Sequence, residues 1–393
     1  MSLNKMAKED ACNVRSPLPR RSIDVMHVGP GYGQRGGIAS VLGELAQQED
    51  RFAADQVRFT FFETRSLKSV RGLLLFIFSD VPRFAIALTR NVDIVHFHVS
   101  VRGSFYRKYL LYLLARLAGK KTIFHLHAGN FEQFLASAKS VVRSAAGRFI
   151  RNADAVIAVS TPIGEELRRL GGGAKGLFVI GNTACALEAA ADTRLATGSS
   201  LRADRYVAFA GRLTEAKGVG DVLQAIAALK LQGLFVPLKL AGGGDIAGWR
   251  KVVRDYGIDD RVEFVGWLDG AEKVAFYRDA AMFCMPSHFE SFGIATLEAM
   301  FAGLPVIGSK VGGFLDLVEE GVTGHLAGVG DTQALAGFIE KLAEDPRAAT
   351  QMGEAGLRRA RERYSAHSVV DQYVTCYREV MAGSGSATRG SPL

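Results

Sequence analysis

Cysteine is scarce in this chain: Cys12, Cys185, Cys284 and Cys376 stand far apart in 393 residues, with no CxxC pair. That spacing leaves neither a disulfide framework nor a zinc finger to expect, and it points to a reducing compartment. Long apolar runs are also missing. The opening residues, MSLNKMAKEDACNVRSPLPRRS, have no apolar h-region, so they read as no secretory signal. The most apolar early stretch, residues 72–78, runs into Ser79, Asp80, Pro82 and Arg83. It falls well short of the roughly 18–20 apolar residues of a membrane span. The expectation is a soluble, cytoplasmic protein. At 48% hydrophobic and 22% charged, the chain has enough apolar mass for two cores and is not disordered as a whole.

Acidic residues are the next shortage, and it is local. Residues 51–150 carry 16 Lys+Arg against 5 Asp+Glu, whereas the whole chain is only +8. Residues 1–200 sum to +11 and residues 201–393 to −3. A basic front half joined to a mildly acidic back half suggests two domains with different partners.

Short β-branched runs alternate with helical patterns throughout. Strands are expected at 23–28, 57–62, 94–97, 122–126, 155–159 and 178–180, then at 206–210, 238–241, 262–265, 281–285 and 305–307. Helices of about ten residues separate them, which predicts an α/β fold of parallel sheets covered on both faces. Residues 1–20 read as a flexible tail and 21–185 as a first domain. Residues 186–205, without clear periodicity, read as a linker, and 206–365 as a second domain. A helix over 366–382 is expected to return to the first domain, ahead of a flexible tail at 383–393.

Three loops carry the chemistry. The first, Gly29–Gly37, follows a strand and precedes a helix, and Gly31, Gly33 and Gly36 fit GxGxxG. The dinucleotide fingerprint also wants an acid at the end of the second strand, and Glu63 is a poor match in spacing. What remains is either a tight turn or a backbone surface that a ligand approaches closely. The second loop, GRLTEAKG at 211–218, sets Arg212 and Lys217 where strand ends meet helix starts, the edge at which open α/β sheets bind ligands. Two cations there suit a diphosphate. The third, MPSHFESFGIATLEAM at 285–300, places Glu290 before a helix opened by Gly293 and Glu298 just over one turn into it. Free amides at that helix start form a second anion site.

Together with GGIASV at 36–41, His127 in HLHAGNF, Asn182 and GGFLDLVEEGVTGHL at 312–326, these segments resemble the family 4 retaining glycosyltransferases. Those enzymes have the GT-B fold, two Rossmann-like domains facing across a cleft, and the resemblance covers most of the chain. The Glu-x7-Glu pair Glu290/Glu298 with its Phe-Gly is its most specific part. By this resemblance Arg212 and Lys217 bind the donor diphosphate, and Glu298 holds the nucleotide ribose. Glu290 and the backbone around Phe292, Gly293 and Ile294 face the transferred sugar. His127 reaches that sugar from the opposite domain, and Gly36 and Gly37 close over the diphosphate. The catalytic set implied is Glu290, His127, Arg212 and Lys217. The chain departs from the family at the hinge, which reads Gly181-Asn182-Thr183-Ala184-Cys185, and at Asp316, where Glu is commoner.

The resemblance implies a UDP- or GDP-linked sugar as donor, a saccharide or lipid-linked acceptor, and a place in bacterial surface-polysaccharide synthesis. No Asp-x-Asp occurs in the sequence, and no cofactor or required metal is expected. Two other classes compete: a nicotinamide-dependent oxidoreductase built on the first glycine loop, and a non-catalytic partner that binds sugar nucleotide or membrane. Two HxH pairs, His96/His98 and His125/His127, put both rings of a pair on one strand face. His127 is expected in the cleft, His98 along the acceptor side, and His96 and His125 in the core. The basic window couples Arg65, Lys68, Arg71, Arg83, Arg102, Arg107 and Lys108 with apolar residues, which suits an anionic membrane surface contacted through residues 65–121. No nucleic-acid motif accompanies the charge. The expected location is the inner face of the plasma membrane, as a peripheral protein.

Overall fold

The computed structural model describes residues 21–31, 36–65, 69–173, 175–196 and 205–383. Among the described residues twelve strands form two sheets. The first holds Ile23–Gly29 (β1), Val57–Glu63 (β2), Ile94–Val99 (β3), Lys121–Leu126 (β4), Ala155–Ala158 (β5) and Leu177–Val179 (β6). The second holds Tyr206–Ala210 (β7), Leu238–Ala241 (β8), Val262–Gly266 (β9), Ala280–Met285 (β10), Val306–Ser309 (β11) and Gly324–Ala327 (β12). Every pairing is parallel. Helices therefore cover both faces, and strands such as β3 (IVHFHV) are buried along their whole length.

The strand orders locate the ligand site before any side chain is considered. They are β2-β1-β3-β4-β5-β6 and β12-β11-β10-β7-β8-β9. In the second sheet the direction of winding reverses between β7 and β10. The loops leaving those two strands diverge there and open a crevice at the strand C-termini. They are the loops of Lys217 and Glu290. The last helix, Ala366–Ala382, packs Val369, Val370, Tyr373, Cys376 and Tyr377 against the first sheet, in a core shared with Val25, Ile94 and Ile123.

Two local readings need correction. The segment read as an aperiodic linker begins with a helix, Cys185–Ala196. Its alanines favour helix without marking a face, so a pattern of large apolar residues does not reveal it. Leu187 is buried, and Glu188 accepts from the Ala366 amide at 2.9 Å. Residues 197–204 lie outside the described set, as do the two terminal tails. Residues 72–83, whose apolar run ends at Phe78, are helical throughout. Val70–Leu75 passes through a π turn, Phe76–Asp80, into Val81–Leu88. Pro82 falls in the first turn of the last piece, where its missing N–H costs least. Second, Lys108 is not on the basic surface: it is 1% exposed, its Nζ 3.2 Å from Ser104 Oγ and 3.4 Å from Thr64 Oγ1. Burial, and then Arg107, push it down to about 7. Lys68 lies outside the described residues.

Candidate active site

A cavity of about 730 Å³ lies between the C-terminal edges of the two sheets. From the first domain Gly36, Gly37 and His127 line it, and from the second Arg212, Lys217, Glu290, Phe292, Gly293, Ile294 and Glu298. The structure thus brings all ten candidate residues to one cleft. Gly36 sits at φ 147°, and among the described residues, its chain neighbours aside, no atom lies within 4 Å of where a Cβ would stand, which leaves room for a ligand's close approach.

The strand-to-helix loop after β7 is held by close approach. Gly218 has φ 73° and starts the helix Val219–Leu231, and a Cβ there would lie 2.1 Å from the Pro286 carbonyl oxygen. That contact locks the Lys217 loop to the Glu290 loop. Lys217 Nζ donates to Glu290 Oε2 at 2.6 Å, and Glu290 Oε1 accepts from the Ser291 amide at 3.1 Å. Arg212 is exposed on the same wall. The helix Ile294–Phe301 starts at Gly293 with no side-chain cap and no acid in its first turn, so its leading N–H groups face the cleft unscreened.

Glu298 is not a solvated helix residue. It is 9% exposed, accepts from Lys273 Nζ at 2.6 Å and takes the Tyr277 hydroxyl hydrogen at 2.8 Å. Burial first, and then Glu298, push the Tyr277 hydroxyl well above its ordinary range. Although burial works against its charge, the Glu298 carboxylate keeps Lys273 above its usual value. Sequence reasoning missed Lys273, Tyr277 and Trp267, all of which line the cleft. They lie on or before the helix Gly270–Arg278, and nothing in their local spacing marks them. It also missed Asp221, which holds His288 Nε2 at 2.7 Å and steadies the loop before Glu290.

The domains touch at the site. A Cβ on Gly129 would meet Ser291 N at 3.2 Å and Glu290 O at 3.3 Å, so the loop after His127 lies directly on the Glu290 loop. Thr161 N donates to Asp316 Oδ2 at 2.6 Å, tying the start of the helix Thr161–Arg169 to the second domain. Burial raises the Asp316 carboxyl above its usual range. The aspartate that departs from the family pattern is thus an interdomain contact.

One histidine of the HxH pairs departs from its reading. His98 does not line the acceptor side: it is fully buried beneath His127, its Nδ1 2.9 Å from His127 Nε2. His96 and His125 are also buried, and His27 of β1 joins them. Burial pushes His27 down to about 3, and burial followed by the charge of Lys108 does the same to His127. His27/His96/His98 and His98/His125/His127 each bring three ligand-type nitrogens within 4.8 Å. The His96 and His98 rings are stacked 4.4 Å apart at 7°, so their in-plane lone pairs run side by side instead of converging on one ion. Glu63 packs its carboxylate against Gly31.

Two parallel six-stranded sheets facing across such a cleft are the GT-B architecture. Residues 198–359 match the family model described as Glycosyl transferases group 1, and residues 10–183 match the Glycosyl transferase 4-like domain. Between them the two matches cover most of the chain, which is built of a glycosyltransferase 4-like domain followed by a group 1 glycosyltransferase domain. It is 33% identical over 165 residues to the N-acetyl-alpha-D-glucosaminyl L-malate synthase of Bacillus anthracis, covering 42% of this chain and 43% of that one. It is 36% identical over 140 residues to the amylovoran biosynthesis glycosyltransferase AmsK of Erwinia amylovora, 34% of each chain. The matches span about half or less of the length of these relatives. Among solved structures it is similar to Anabaena Alr3699/HepE in complex with UDP and glucose. There the TM-score is 0.68 at 22% identity, covering 90% of this chain and 99% of that one.

Proposed function

We propose that the protein transfers a sugar from a nucleoside-diphosphate sugar to a lipid-linked saccharide with retention of anomeric configuration. One observation carries the reading. Arg212, Lys217 and the open N-terminus of Ile294–Phe301 converge on one wall of the cleft, with Glu298 fixed beside them by Lys273 and Tyr277. A diphosphate on that wall has its charge met by preorganised donors, which is where the largest part of such catalysis arises. As the C1–O bond to the diphosphate breaks, the electron pair goes to phosphate. The acceptor oxygen attacks from the same face, and its proton passes to the leaving phosphate oxygen. Glu290 and His127 position the sugar. The two cations and the helix amides neutralise the leaving group, so we propose that no metal is required.

UDP is the first donor to test, because the similar Anabaena structure holds UDP and glucose; GDP-sugars are the second. In a thermal-shift panel, the correct donor at 100 times its dissociation constant is expected to stabilise the protein by about 2.7 kcal/mol. NAD(H) is expected to give no shift. A shift with NAD(H) alone would overturn the assignment.

The similarity to an amylovoran glycosyltransferase supports a role in surface or exopolysaccharide synthesis. A membrane-facing acceptor side is supported by Val70, Leu73, Leu74 and Ile77, exposed at helical spacing on one face, with Phe78 and Ile86 exposed beside them. The neighbouring helix Gly103–Leu117 adds exposed Tyr106, Leu110 and Leu117. Arg71 and Arg83 stand exposed among the apolar side chains, while Asp80, which pairs with Arg83, is buried. Among the described residues no helix is long and apolar enough to cross a membrane. The protein is expected to sediment with vesicles containing phosphatidylserine, and to be released by salt and by Phe78→Glu. Equal recovery on neutral vesicles, or no recovery on either, would remove the membrane from the reading.

A further inference from the structure

His127 is the visible end of a longer assembly. Together with it, four more imidazoles and one phenol, contributed by β1, β3, the end of β4 and the helix Ala366–Ala382, form a single hydrogen-bonded chain. His125 Nδ1 is 3.1 Å from His96 Nε2, and His96 Nδ1 is 2.9 Å from Tyr377 Oη. Tyr377 Oη is 3.4 Å from His27 Nε2, and His27 Nδ1 is 2.9 Å from His98 Nε2. His98 Nδ1 is then 2.9 Å from His127 Nε2. Among the described residues every ring nitrogen of the five has a partner except two. His125 Nε2 is buried with no partner, and His127 Nδ1 is left for the cleft that His127 lines.

Burial keeps the rings neutral, so each has one N–H and one lone pair. The tyrosine hydroxyl donates to one side and accepts from the other. Only two polarities then satisfy all five contacts. In one, every ring carries its hydrogen on Nδ1, the hydrogens all point toward His127, and His125 Nε2 is a bare lone pair. In the other, every ring carries its hydrogen on Nε2, and His125 buries an N–H with nothing to accept it. An orphaned buried donor is the costlier defect.

We infer that all five rings are Nδ1–H tautomers, and that His127 therefore presents a hydrogen-bond donor to the substrate and cannot act as a base. Tyr377 stands in the middle of the chain, which makes it, with His98 and His27, a positioning residue for His127. The described chain ends at the orphaned His125 nitrogen instead of leading to solvent, so it sets polarity and carries no proton away. Linked hydrogen bonds of this kind polarise one another, so the donor at His127 is stronger than that of an isolated imidazole. Free histidine in water favours the other tautomer, so the inference is sharply distinguishable.

What the donor does for transfer rests on the proposed glycosyltransferase reaction; the tautomers do not. The test is nitrogen NMR on the full chain with histidine-labelled rings and no ligand, assigned by the signals lost in His127→Asn. All five rings are expected as Nδ1–H, with scalar coupling across the hydrogen bonds of the pairs His98–His127, His27–His98 and His125–His96. Any of the five as Nε2–H, or a stoichiometric zinc content with metal-bound shifts, overturns the inference. In the second arm, Tyr377→Phe removes one hydroxyl and is expected to lower kcat about 2- to 12-fold, the worth of one net hydrogen bond, with the donor KM unchanged. An unchanged kcat per folded molecule overturns the role of the last helix. If neither wild type nor variant turns over any sugar nucleotide while the five tautomers are as stated, the proposed reaction fails and the hydrogen-bonded chain stands.

Discussion

Lys217→Ala is expected to lower kcat/KM for sugar transfer about 10²- to 10³-fold, the usual cost of removing one preorganised donor from a developing charge. The geometry makes the loss double. Lys217 Nζ lies 2.6 Å from Glu290 Oε2, so in the resting enzyme each neutralises the other. When an anionic diphosphate enters, the ammonium can turn to it while Glu290 keeps its hydrogen bond from the Ser291 amide. Without the lysine, the carboxylate faces the incoming anion unpaired in a partly closed cleft. Glu290→Ala alone is expected to weaken transfer through lost sugar contacts, and the double variant to cost clearly less than the sum of the two. Steady-state kinetics with circular dichroism as a folding control decide this. Additive losses would mean that the two side chains do not act as a unit. Full activity in Lys217→Ala would remove the diphosphate from this wall.

Acid is expected to unfold the protein well above the pH at which carboxylates titrate. His27, His96, His98 and His125 are buried and neutral, with proton affinities held far below the unfolded value by burial. The sign follows from linkage. A histidine whose folded value is depressed contributes stability above its unfolded value near 6.5, and that stability is lost as pH falls toward the folded value, because only the unfolded chain takes up the proton. From pH 7 to 5 each ring forfeits roughly 2 kcal/mol, so four forfeit on the order of 8 kcal/mol. Whole-domain stabilities are about 5–15 kcal/mol. Glu166, pushed up to about 7 by burial and then by Glu132, and Asp316, raised by burial, work the other way, but they are two carboxyls against four rings. Urea unfolding at pH 7, 6 and 5 is expected to show a steep loss of midpoint. A flat profile over that range would mean that the rings are charged or accessible to water in the folded state.

The two predictions differ in how far they could be anticipated. Arg212, Lys217, Glu290 and Glu298 are close in sequence to strand ends and a helix start, and the order of elements brings them to one edge whatever the remaining packing does. Tyr206–Ala210, Val219–Leu231 and Ile294–Phe301 are read from residues alone because apolar period, glycine caps and turn residues agree there. Lys108 and Asp80 are a different matter. Each looks like an ordinary surface charge in its local sequence, and only packing from other elements makes it 1% and 0% exposed.

The alternation of strand and helix patterns, with glycine at the strand-to-helix turns, determined the parallel sheets and the placing of the cation pair. These are short-range consequences of backbone geometry and side-chain periodicity. The partners of Glu298, the contact of Asp316 with Thr161, and the assembly of His27, His96, His98, His125 and His127 around Tyr377 were decided by the tertiary structure alone. Their residues are up to 350 positions apart, as His27 and Tyr377 are. A buried hydrogen bond has no signature in the local sequence of either partner until the strand order and the return of the last helix set them side by side.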